Sequence, residues 1–314
     1  MKKIVFTLLI LVATLGVKAQ RHHEIGFFLG MDYYMGDLAE SNVFGMPGYN
    51  FGLFYRYAVN SRIAVRLAGH YGYLEGDSKL NKPNLQYKNL NFHTSLIDIE
   101  MGIEINFLEY IAGSDRHRFT PYIFGGIGVF HFNPKTYYMG EEYELQPLGT
   151  EGQGLTAYPD RKPYALMSLS IPFGFGIKWS VSHRVSLGLE WGLRKTFTDY
   201  LDDVSTRYAD PALLSAEKSD LAAALSNRQF ENDAMLAGLD ISIGPNGTAN
   251  QRADFDTYVQ DYLMKRNNAQ RGNSENMDWY SIAGLTIVFK ITGARQKSCP
   301  AYQKHSKYKE YLLF

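Results

Sequence analysis

Eight histidines, a single cysteine and an even balance of 32 acidic and 32 basic residues are the groups in this 314-residue chain that could do chemistry. His22 and His23 are adjacent, which is poor metal geometry. His70, His93, His117, His131, His183 and His305 show no ligand-like spacing, and Cys299 has no second cysteine with which to hold zinc. His70 with Asp77, or His93 with Ser95, would be the raw material of a hydrolytic site at a barrel rim, but spacing alone does not make a triad. There is no glycine-rich phosphate loop, calcium loop or repeat. The expectation is a protein without catalytic residues, cofactor or metal, and the neutral balance offers no argument for nucleic acid. A lone cysteine in an oxidising compartment leaves two readings open for Cys299, a free thiol or an intermolecular disulfide.

The charged residues become informative through their spacing. From Ser95 to Phe107, Ile97, Ile99, Met101, Ile103 and Ile105 alternate with Asp98, Glu100, Gly102, Glu104 and Asn106. Successive side chains of a strand point to opposite faces, so one face is oily and the other acidic. A helix would scatter the same apolar positions around its axis. Eight such segments are predicted, at 23–36, 48–58, 62–74, 94–107, 118–132, 166–181, 184–198 and 278–292. Their polar faces carry Glu24, Asp32, Asp98, Glu100, Glu104 and Glu190 against Arg56, Arg62, Arg66, Lys178, Arg194 and Lys290, six of each sign.

Which face looks outward follows from the connections. They run long, short (59–61), long, modest (108–117), long (133–165), short (182–183) and very long (199–277), as in outer-membrane barrels with short periplasmic turns and long outer loops. Tyr33, Tyr55, Tyr57, Tyr71, Tyr73, Trp179 and Phe289 stand near strand ends, where aromatic girdles belong. The 23 Tyr, 19 Phe and 29 Gly suit such a wall. The predicted fold is therefore all-β, an eight-stranded antiparallel transmembrane β-barrel. Its apolar face meets lipid, and an even strand count leaves both termini in the periplasm. An eight-stranded lumen is just wide enough for side chains to fill. Arg56, Arg66, Asp98, Glu100, Glu104, Lys178, Glu190 and Arg194 are expected to pair there as a non-conducting plug, because an unpaired buried charge is costly.

Around this barrel (20–292), residues 1–19 read as a signal peptide, with Lys2 and Lys3, an apolar run and Val17-Lys18-Ala19 before Gln20. The insertion 199–277 carries two predicted helices, over 212–225 after Pro211 and over 255–266. It forms either a self-packed cap or a partner-binding surface. Residues 293–314, with Arg295, Lys297, Lys304, Lys307 and Lys309, do not alternate and read as a basic periplasmic tail, although Phe314 has the character of a barrel assembly signal.

Two passages carry a resemblance to a known family. Glu24-Ile-Gly-Phe-Phe-Leu-Gly30-Met-Asp-Tyr-Tyr34-Met-Gly36-Asp37-Leu38 and Arg56-Tyr-Ala-Val-Asn-Ser-Arg-Ile-Ala-Val-Arg66 resemble the PorG-type barrels (DUF6089-like) of the Bacteroidota type IX secretion system. The resemblance implies an outer-membrane component that anchors a periplasmic ring lipoprotein and its partner subunit, supporting protein export, gliding or virulence. It brings no catalytic residue with it. An adhesin or receptor barrel acting through its outer loops is the alternative.

Overall fold

In the computed structural model the described residues are 22–39, 44–80, 88–229, 231 and 269–291. They form β1 (His22–Met35), β2 (Gly48–Ala58), β3 (Ile63–Asp77), β4 (Asn91–Asn106), β5 (Phe119–His131), β6 (Lys135–Tyr138), β7 (Glu141–Glu144), β8 (Met167–Ser180), β9 (Val185–Thr196) and β10 (Trp279–Ile291), with α1 (Pro211–Glu217) and α2 (Asp220–Ser226) between β9 and β10. Strands β1, β2, β3, β4, β5, β8, β9 and β10 pair antiparallel in that order, and β10 returns to β1 to close the wall. The seam runs without interruption from His23 opposite Ile291 to Met35 opposite Trp279. The predicted eight-stranded antiparallel barrel is the observed fold.

The alternation sets the sidedness. On β4, Ile97, Ile99, Met101, Ile103 and Ile105 are 45–55% exposed, whereas Asp98, Glu100 and Glu104 are 0–4% exposed. Phe27, Leu29, Phe51, Leu67, Phe175 and Leu189 continue the outward apolar belt on neighbouring strands. The doubly apolar β5 obeys the same rule, with Ile123, Ile127 and Val129 outside and Tyr122, Phe124 and Phe130 inside. No described helix is long and apolar enough to cross a membrane. The exposed apolar surface lies on the strands.

The two rims differ. At one, connections 59–62, 107–118 and 181–184 are short, and β1 begins and β10 ends there. Connection 107–118 folds across this mouth: Tyr110 is buried and donates to Ser186 Oγ at 2.7 Å, and the Lys290 ammonium donates to the Ala112 carbonyl. Gly113, at φ +84°, passes so close to the His183 carbonyl that a Cβ would lie 2.5 Å from its oxygen. At the opposite rim, segments 132–166 and 197–229 fold over the barrel with 269–278.

Two local elements there depart from expectation. β6 and β7 form a hairpin within 133–165, turned by Met139 and Gly140, both at positive φ, as a two-residue turn matched to strand twist requires. The helix predicted over 212–225 is two helices. Lys218 leaves helical geometry, and Ser219 caps α2 by accepting the Ala222 N–H. The chain thereby reverses and lays Leu214 against Ala222 and Ala223. The signal segment, the 255–266 helix and the 293–314 tail with Cys299 and Phe314 lie outside the described residues.

Candidate functional site

Side chains two apart on a strand share a face, so β4 alone aims Asp98, Glu100 and Glu104 into the lumen at three heights. Nearest the short-connection rim, Arg56 of β2 bridges Glu24 and Glu104, each at 2.9 Å, and Lys178 of β8 also binds Glu104. Midway, Arg66 of β3 meets Glu190 of β9 at 2.5 Å and Glu100 at 3.5 Å, and the Tyr122 hydroxyl donates to Glu190 at 2.7 Å. The Arg66 guanidinium lies between the rings of Phe54 and Phe124, 4.9 and 5.1 Å from their centroids. Higher, Arg194 holds Glu100 at 3.0 Å and approaches Asp98 at 3.9 Å, and Tyr280 donates to Asp98. All eight lumen residues named above are buried here, in two ion-paired groups: Arg56, Glu104 and Lys178 nearer the short-connection rim, and Arg66, Glu190, Glu100, Arg194 and Asp98 above them.

The expected equality of charges is not what the lumen contains. Arg62 sits exposed in the turn after β2 and donates to the Phe107 carbonyl, and Lys290 serves the short-connection mouth. Six carboxylates therefore face four bases. The surplus is met by neutral or titratable donors: Asn50 binds Asp32, His22 binds Glu24, and His70 stands between Asn50 and Glu100. Position at a strand end, rather than residue type, decides whether a base enters.

The ionic fill stops below the long-connection rim. Above it Phe28, Tyr34, Leu74, Phe92, Phe130 and Tyr280 pack into an apolar core that also receives Leu201, Val204 and Leu225 from the insertion. Arg271 fastens this cap: it binds Glu151 at 3.1 Å and the Asp203 carbonyl, and its Nε donates to the Ser226 carbonyl. Glu151 also accepts the backbone N–H groups of Ser205 and Thr206. Burial pushes the Asp203 carboxyl up to about 6 despite the Arg271 charge, and Thr150 and Tyr164 donate to it.

A second group of acids lies beside this hub. Tyr34 donates to Asp202 at 2.5 Å and to Asp278 at 3.2 Å, and the Asn273 N–H donates to Asp37 at 2.7 Å. Burial, then the neighbouring acids, hold Asp202 and Asp278 above the usual carboxylate range, and burial takes Asp199 to about 7.

The proposed rim pairings do not form. His70 points into the lumen, not toward Asp77, and His93 engages Glu142 at 2.8 Å while stacking between Tyr73 and Tyr137. The Glu151–Arg271 hub was not legible, since its members are 120 residues apart and follow no period. The β6–β7 hairpin did carry a signal, the Met139-Gly140 step between two short tyrosine-bearing runs.

Among solved structures, the chain is similar to the attachment invasion locus protein Ail of Yersinia pestis, at 8% identity and TM-score 0.37 over 86% of this chain and 99% of that one. It is also similar to Neisserial surface protein A, at 7% and 0.37 over 86% and 97%, and to the outer membrane protein OprG of Pseudomonas aeruginosa, at 8% and 0.32 over 88% and 100%. At such scores these likenesses add nothing to what the strand register establishes. No curated protein matches. The model of a domain of unknown function, DUF6089, matches residues 2–214, and the chain belongs to that family.

Proposed function

We propose that this protein is an outer-membrane post of the type IX secretion machinery that holds a periplasmic ring lipoprotein and its partner subunit in place, without catalysis or conduction of its own. The observation that carries this reading is the filled lumen. Ion pairs occupy its lower and middle tiers, an apolar core occupies its upper tier, and Tyr110 closes the short-connection mouth. A barrel without a passage acts through its surfaces. The passages 24–38 and 56–66 that resemble PorG-type barrels support the choice of machinery, and the exposed apolar belt supports seating in lipid.

In this reading the short-connection rim and the basic 293–314 tail face the periplasm and make the contact, with Cys299 available for a covalent link. Deleting 293–314 should release the ring lipoprotein from affinity-purified barrel and block secretion, while heat-modifiable migration of the barrel persists. If the ring still co-purifies and secretion continues, the anchoring role is wrong. Cys299→Ser tests the covalent version on non-reducing gels, and unchanged mobility removes it.

The well-packed cap favours a second reading, an adhesin or receptor acting through the outer loops. Shortening the insertion within 232–268 spares the cap contacts described above. Loss of cell adhesion with secretion intact would favour this reading over the anchor.

A further inference from the structure

Three buried acids stand where the insertion meets the barrel seam: Asp199 and Asp202 just after β9, and Asp278 just before β10. The Leu201 N–H donates to Asp278 and the Val204 N–H to Asp202, each at 2.9 Å. Leu201 and Val204 themselves pack into the apolar core of the upper tier. Tyr34 of β1 lies between the two carboxylates, its hydroxyl 2.5 Å from Asp202 Oδ2 and 3.2 Å from Asp278 Oδ1. These contacts draw one stretch of the cap onto both strands of the seam.

Counting hydrogens decides the state of the acids. A tyrosine hydroxyl carries a single hydrogen, and the shorter contact, to Asp202, takes it. Asp278 Oδ1 then faces an oxygen with no hydrogen left to offer. Its approach is favourable when Asp278 itself is protonated and donates to the Tyr34 oxygen. Asp199 makes the same demand. It is 6% exposed, and neither of its carboxylate oxygens has a hydrogen-bond partner.

No counter-charge answers that demand. Among the described residues no guanidinium or ammonium pairs with Asp199, Asp202 or Asp278. The charged groups around them are Asp37 after β1, Glu151 from segment 132–166, Asp203 next in the chain, and Arg271. Arg271 is engaged by Glu151 and Asp203, and the Lys88 ammonium donates to the Arg271 carbonyl. A buried carboxylate without an opposite charge is neutralised by a proton instead.

We propose that Tyr34, Asp199, Asp202 and Asp278 form a proton-held latch on the cap. In acid it fastens the insertion to the barrel seam. As pH rises its protons pass to solvent, the carboxylates repel one another, and residues 197–206 lift from the apolar core.

The sign follows from the two states of the cap. Burial raises Asp199 to about 7, and burial, then the neighbouring acids, hold Asp202 and Asp278 above the usual carboxylate range. The closed cap keeps protons that an open cap, with ordinary carboxylates near about 4, has released. Opening therefore becomes about tenfold easier per pH unit for each proton retained, and the Asp199 contribution levels off above its closed-state value.

The test uses the full-length barrel folded in detergent. Hydrogen–deuterium exchange of the peptide 197–206 is followed against pH and corrected for the intrinsic rate, so that it reports local opening. Protection of this peptide should fall at least about tenfold from roughly pH 5 to 7, while β4 amides keep theirs. Asp278→Asn retains an acceptor for the Leu201 N–H and places an N–H where the proton sits, so it should hold the peptide protected as pH rises. Asp199→Asn should also flatten the profile, and it gives the reading alone if Asp278→Asn loses heat-modifiable migration. An aspartate with a merely structural role would, on replacement, loosen the peptide at every pH. Protection in the parent that does not change with pH, a full pH dependence kept in the variants, or variants less protected than the parent throughout would each overturn the proposal.

Discussion

Replacing Arg66 by Met leaves a buried void of charge in the middle of the lumen, and its effect can be worked through from its contacts. Arg66 is 2% exposed and serves two acids, Glu190 at 2.5 Å and Glu100 at 3.5 Å, between two aromatic rings. Breaking a buried pair by removing one partner costs about 3–5 kcal/mol, mostly the penalty of stranding the other charge. Glu100 keeps Arg194 at 3.0 Å, so the burden falls on Glu190, left with the Tyr122 hydroxyl. At about 1.4 kcal/mol per tenfold, the folded-to-unfolded ratio should fall by roughly two to three and a half orders of magnitude. Arg66→Met with Glu190→Leu removes both charges and fills the space, and should return to within about 2 kcal/mol of the parent, since apolar replacement of a buried pair is close to neutral. Urea unfolding in lipid vesicles, followed by tryptophan fluorescence, measures all three proteins. A loss under about 1 kcal/mol for the single variant, or a double variant no better than the single, would refute the idea that these charges are there because each has a partner.

Three further outcomes follow from the same geometry. Met101→Arg, mid-belt on β4, should cost about 2–4 kcal/mol, and Ile105→Arg near the short-connection rim about 0–1 kcal/mol, by the same assay; equal costs would mean that no lipid gradient lies across this face. Gly26→Ala places a methyl against the inward ring of Phe54, which backs Arg56 and Arg66, and should destabilise by about 1–3 kcal/mol, whereas Gly140→Ala meets no neighbour and should leave the wall intact despite its strained turn. Arg271→Met should expose the insertion to protease while the barrel keeps its heat-modifiable migration, because its partners Glu151, Asp203 and Ser226 all belong to the cap.

The barrel wall was legible because its signal is local. Each strand announces itself by an alternation that needs only its own residues, as between Ile97 and Ile105, and the short steps at 59–61 and 182–183 announce the turns. The pairing of the lumen charges was not legible. Arg66 and Glu190 lie 124 residues apart, and they meet only because β3 and β9 face each other across a closed wall. Arg62 and Lys290 share the strand alternation of the lumen bases, but whether a base at a strand end enters depends on where the rim falls. The break at Lys218 was hidden because the helix-forming run continues through it, and only Ser219 marks a new start. The cap hub and the acid cluster depend on contacts between loops, where no period exists to read.

The seam between β1 and β10 has a bearing on how the molecule is made. Thirteen consecutive residue pairs join the opening strand to the closing one, and everything between β9 and β10 precedes that last strand in the chain. In chain order β10 follows the whole insertion, so the last seam of the wall pairs only after that segment has been made.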